Sequence, residues 1–145
     1  MTKDELKRKL KSAYYWQRSL EEDYLELQKL RDNAARVTPQ YSKAPAGCGD
    51  GHKLERTIVS IADYEAIIKE HMDNLYMALK EVTRLINLVD DPQAHLVLQM
   101  RYRNFKKWEQ IAAETNYSIT HIYRIHGMAL SEIIQFTKTT DTQEK

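Results

Sequence analysis

Three stretches of the chain carry a regular alternation of apolar and polar residues, and two breaks separate them. Across residues 3–33, Leu6, Leu10, Ala13, Leu20, Tyr24 and Leu27 recur in steps of three and four or their multiples, with charge on the other faces. That spacing predicts one long amphipathic helix. A second series runs Leu54, Ile58, Ile61, Ile68, Met72, Leu75, Leu79, Val82, Ile86 and Val89, interrupted only at Glu65. It has the form of a heptad seam and requires a helical partner, because such a stripe would otherwise lie in water. Between the two, TPQYSKAPAGCGDGH at 38–52 holds two of the three prolines and three of the four glycines. It predicts a loop at about 34–53. The first helix can then fold back on the second or reach another subunit. The pattern leaves both open and favours a homodimer or higher oligomer through the long helices, since a lone hairpin leaves much of each stripe uncovered.

The third stretch opens at Asp91-Pro92, a helix start in which Asp91 caps the free amides and proline is tolerated in the first turn. Leu96, Val97, Met100 and Tyr102 supply the apolar side of that helix, which is expected to end near Asn104. Trp108, Ile111, Ala112 and Thr115 then form one face of a two-turn helix, and Asn116-Tyr117-Ser118 makes a tight break. Asparagine tolerates the left-handed conformation that ends a helix, and serine caps the next one. Tyr117, just ahead of that cap, is placed to pack on Ile122 as a hydrophobic staple. Ile122, Ile125, Ala129, Leu130 and Ile133 give the buried side of the last helix, and the small Ala112 lets the two helices cross closely. Short helix, three-residue turn and longer amphipathic helix are the parts of a helix-turn-helix. The expected fold is all-α: two long helices over 1–90, a helix-turn-helix domain over 91–137 and a flexible tail over 138–145.

LVLQMRYRNFKKWEQIAAETNYSITHIYRIHGMALSEI, Leu96 to Ile133, resembles region 4 of bacterial sigma factors, the domain that reads the promoter −35 element. With the two long helices and the Pro/Gly-rich segment ahead of it, the chain is similar to the small phage and prophage transcriptional regulators of the ArpU and RinA type. The resemblance implies double-stranded DNA as a partner, with bacterial RNA polymerase as a second. It implies that Ile119, Thr120, His121, Tyr123 and Arg124 face base edges in the major groove, where Arg124 can donate two hydrogen bonds to guanine. Arg103, Lys106, Lys107 and Ser118 would touch phosphate, setting affinity and register but not sequence choice. Ile119 and His121 stand where sigma factors usually carry charge, so the preferred site need not be a −35 element. The 145 residues do not include the regions with which a full sigma factor binds polymerase core and melts DNA, so a complete sigma factor is not expected.

Composition narrows the alternatives. Hydrophobic residues make up 42% and charged residues 30%, with a net charge of +1, which suits a water-soluble helical protein. No apolar stretch reaches membrane-spanning length, and MTKDELKRKLKSAYYW is charged and lacks the apolar core of a secretory signal. A cytoplasmic location without membrane association is expected. Two basic clusters stand out: Lys7, Arg8, Lys9 and Lys11, and the stretch of Arg101, Arg103, Lys106, Lys107 and Arg124. Cys48 has no intramolecular disulfide partner, and with His52 it supplies too few ligands for zinc. His121 and His126 lie about 140° apart on a helix and do not form a chelating pair. Asp90 and Asp91 are explained by capping, and Tyr14, Tyr15 and Trp16 by packing. No phosphate-binding loop, nucleophile elbow or metal motif occurs, so neither catalysis nor a cofactor is expected. A DNA-packaging subunit of small-terminase type and a polymerase-binding adaptor share the same layout and are the competing readings.

Overall fold

The computed structural model describes residues 1–43 and 51–143, with side chains for 1–36 and 52–143. Among the described residues five α-helices follow one another: α1 (Lys3–Lys43), α2 (Gly51–Ile86), α3 (Pro92–Leu98), α4 (Trp108–Thr115) and α5 (Ile119–Gln143), with a π-helical turn, Gln99–Arg103, continuing α3. The fold is all-α, and the described residues contain no strand. No described helix is long and apolar enough to cross a membrane.

Two segments expected to be irregular are partly helical. The loop at about 34–53 is helix up to Lys43 and again from Gly51. Pro39 has no backbone N–H to donate, which weakens a helix without fixing where it stops. Cys48 lies outside the described residues. The tail from 138 continues α5 to Gln143, where Thr139, Thr140 and Thr142 donate their hydroxyls to the carbonyls of Gln135, Phe136 and Lys138. Those bonds satisfy side chains that would otherwise compete with the helix for backbone partners.

The chain forms two compact units, Trp16–Asn74 and a head made of Met1–Tyr15 with everything from Leu75 onward. Compactness therefore does not divide the chain at residue 90. The first turns of α1 and the end of α2 carry apolar residues that only the head can cover: Leu6, Leu10 and Ala13 from α1, and Val82, Leu85, Ile86 and Val89 from α2, join its core.

Within Trp16–Asn74 the two long helices run antiparallel. Asp23 meets His71 Nδ1 at 2.5 Å and Arg31 donates to Glu65 at 3.0 Å, so moving forward along α1 means moving back along α2. The inward row on α2 reads Leu54, Thr57, Ile61, Tyr64, Ile68 and His71, while Ile58 is 56% exposed and Met72 50% exposed. This corrects the seam inferred from apolar spacing. The positions taken by Thr57, Tyr64 and His71 still repeat in threes and fours, and His71 holds its place through Asp23 and the Trp16 ring, 5.2 Å away. Of the apolar row on α1, Leu20 and Leu27 are buried while Tyr24 sits at the edge, its hydroxyl 3.8 Å from the Met72 sulfur.

In the head, Asp91 caps α3 by accepting the Ala94 N–H at 2.9 Å, ahead of Pro92. The π turn that follows changes the expected inner face. Val97, Met100 and Tyr102 are buried as predicted, but Leu96 is 47% exposed and Leu98 takes its place. With α-helical steps Arg101 would follow Val97 and Leu98 inward. The segment closes instead as a π turn, Asn104 N–H to Gln99 O at 3.1 Å, in which Arg101 is half-buried and Tyr102, four residues on from Leu98, is buried. Phe105 ends the turn at φ 56°, a conformation costly for a bulky residue. It is compensated by packing against the core and against the Tyr14 ring at 5.9 Å.

Candidate nucleic-acid interface

Local sequence dictates the turn between α4 and α5. Asn116 adopts φ 59°, ψ 27°, and the N–H groups of Asn116 and Tyr117 both reach the Ala112 carbonyl, the latter at 3.2 Å. Ser118 Oγ accepts the His121 N–H at 3.1 Å and so caps α5. Tyr117 packs against the core, its ring 4.9 Å from His121 and its hydroxyl hydrogen-bonded by Gln93. The buried residues of α4 are Ile111 and Ala112, and those of α5 are Ile122, Ile125, Ala129, Leu130 and Ile133. Each is an apolar position that the helical period selected.

What remains outside on α5 is a row of side chains along its first two turns. Ile119, Thr120, Tyr123 and Arg124 are exposed and His121 is half-buried. Arg124 Nη2 lies 3.1 Å from His121 Nδ1, which orients the guanidinium over the outer face of the helix. Tyr123 leans edge-on against Trp108, 5.4 Å between centroids. The five residues assigned to base edges thus share one accessible surface.

The residues assigned to phosphate are less uniform. Arg103, Lys107 and Ser118 are exposed. Lys106 is half-buried and engaged: its ammonium lies 2.6 Å from Glu114. The Glu114 carboxyl also accepts from Gln110, and the two donors hold it below the ordinary glutamate range.

Behind the exposed row lies a polar cluster that apolar spacing does not reveal. Trp108 carries the Arg101 guanidinium over its ring at 4.5 Å and meets His126 at 4.8 Å. Arg101 also donates to the Lys106 carbonyl at 3.0 Å. His126 Nε2 and the Tyr102 hydroxyl are 2.7 Å apart. Burial pushes the Tyr102 phenol up to about 12. Burial likewise pushes His126 down to about 4, helped by the positive fields of Lys7, Arg101, Lys3 and Lys11. The imidazole is therefore neutral near pH 7 and serves as a hydrogen-bonding spacer between the π turn and α5. Residues 102 and 126 are too far apart in sequence for any local pattern to pair them. Among the described residues no group of histidine, cysteine or carboxylate side chains is arranged to hold a metal.

No curated protein and no solved structure matches the chain. A family model does match, over residues 46–134, which include all of α2, α3 and α4, and α5 through its last buried isoleucine. Over that span the chain belongs to the DUF1492 family, described as proteins of unknown function.

Proposed function

We propose that this protein is a sequence-specific double-stranded-DNA-binding transcriptional regulator, of the ArpU and RinA type, acting on phage or prophage genes. One observation carries the reading: α5 is fixed by its isoleucines, the Ser118 cap and the left-handed Asn116, while Thr120, Tyr123 and Arg124 stay clear of the core. A rigid helix with a short polar row at its N-terminal end suits the width of the major groove. Arg124 supplies the guanine contact, Thr120 and His121 single hydrogen bonds, and Ile119 and Tyr123 contacts to thymine methyls. Arg103 and Lys107 supply phosphate contacts that set register. Ile58, Val59, Ile67 and Met72, exposed on α2, support association of copies so that two heads read two half-sites.

Selection of bound sequences from a random duplex pool, followed by fluorescence anisotropy on the winner, tests this. Arg124→Ala is expected to weaken binding to the selected site by about 1–3 kcal/mol and to relax the preference at one base pair. A variant that binds selected and scrambled duplexes as wild type does would refute α5 as the reading helix.

A further inference from the structure

The N-terminal basic cluster is split by the fold. Lys3 lines the shallow groove along the outer face of α5, together with Tyr123, Arg124, Gly127 and Met128. Eleven residues further along α1, Tyr14 stacks edge-on against Phe105. Lys7 and Lys11 follow Lys3 at intervals of four residues and lie on the strip between those two fixed points. Arg8 and Lys9 belong to a different strip, where they line a recess with Glu5 and Glu81. Their charge is thus offset by carboxylates. The groove that Lys3 lines holds one carboxylate, Glu132, which accepts the Asp90 N–H at 3.4 Å.

We infer that Lys3, Lys7 and Lys11 form a phosphate-contacting edge of the DNA-binding surface, gripping the strand that flanks α5 when that helix enters the major groove. This rests on the reading of α5 given above and adds to it a second element of the interface. Three observations support it. Lys3 and Arg124 border one groove, so a duplex seated on Arg124 brings backbone to Lys3. The row spans about 12 Å at 1.5 Å per residue, roughly the axial length of three or four successive phosphates. The positive fields of all three lysines and of Arg101 also reach the same imidazole, His126, so the four cations lie near one residue of α5.

The test is the salt dependence of binding to the selected duplex. Each lost phosphate contact makes the plot of log affinity against log salt shallower by about 0.9. The Lys3→Gln/Lys7→Gln/Lys11→Gln variant is therefore expected to lose about 2.7 from the slope. Between about 50 and about 200 mM salt its affinity should then fall about 40-fold less than that of wild type, with base preference unchanged. Arg8→Gln/Lys9→Gln should leave the slope as it is. Lysine acetylation of the wild-type protein with and without duplex gives a readout independent of any variant's folding: Lys3, Lys7 and Lys11 become protected and Lys9 does not. Wild-type binding with an unaltered slope in the triple variant, or equal protection of all four lysines, overturns the inference and leaves the reading of α5 standing. Failure of the wild-type protein to bind any duplex overturns both.

Discussion

The head and the Trp16–Asn74 hairpin are both helical, yet they bury their apolar residues in different ways. In the head, α5 has Ile122, Leu130 and Ile133 at or near zero exposure, with apolar neighbours from α1, α2, α3 and α4. In the hairpin each helix faces one partner. Ile68 retains 6% exposure, and polar or aromatic residues such as Thr57, Tyr64 and His71 fill the intervening inward positions. Closure on several sides gives a side chain one place to be, and the proposed role of α5 in reading DNA requires that. A single seam tolerates polar residues wherever a partner such as Asp23 is available.

Truncation of the two cores should separate these regimes most sharply. Ile122→Ala is expected to destabilise the head by about 2–5 kcal/mol, because its surroundings cannot collapse into the cavity. Ile68→Ala should cost about 2 kcal/mol or less, since two helices facing each other can close the gap. Urea unfolding of each variant measures both, and equal losses would remove the distinction.

Acid comes next in size and should act on the head. A histidine whose folded pKa is about 4 instead of the ordinary 6.5 or so takes up its proton more readily when unfolded. Stability is then fully present above pH about 6.5 and falls until about pH 4, by at most about 3 kcal/mol at 1.36 kcal/mol per unit. Unfolding free energy measured across that window should slope for wild type and flatten for His126→Gln. A parallel slope in the variant would assign the loss to other groups.

The smallest effect concerns Gly127, in the middle of α5, where an added Cβ would meet nothing within 4 Å. Gly127→Ala should stabilise the head by about 0.5–1 kcal/mol through the lower flexibility of the unfolded chain. A raised melting temperature checks this, and a lowered one would mean that the helix at this position is strained.

These contrasts also explain which features were legible in the sequence. Asp91, Asn116 and Ser118 act through local chemistry, so their types and spacing announced the caps and the turn found at α3, α4 and α5. The isoleucines of α5 were equally readable, because a helix enclosed by neighbours follows its period closely. The seam of α2 was not, since a half-covered helix lets His71 and Tyr64 serve where Met72 and Ile58 looked better suited. The exposed row on α5 followed from knowing the buried face. The lysine row on α1 did not, because it depends on the distant start of the chain packing into the head. The Tyr102–His126 contact escaped for the same reason.

The π turn at Gln99–Arg103 has a consequence for how chains of this kind are compared. A π turn holds one residue more than an α turn, and both Arg101, which lies over Trp108, and Tyr102, which bonds to His126, fall within it. A homologue shorter by one residue in this interval would run straight helix here, so an alignment gap belongs inside the π turn and not in the connection before α4. Placed elsewhere, it would pair arginine with tyrosine columns and blur the two residues that tie this segment to Trp108 and α5.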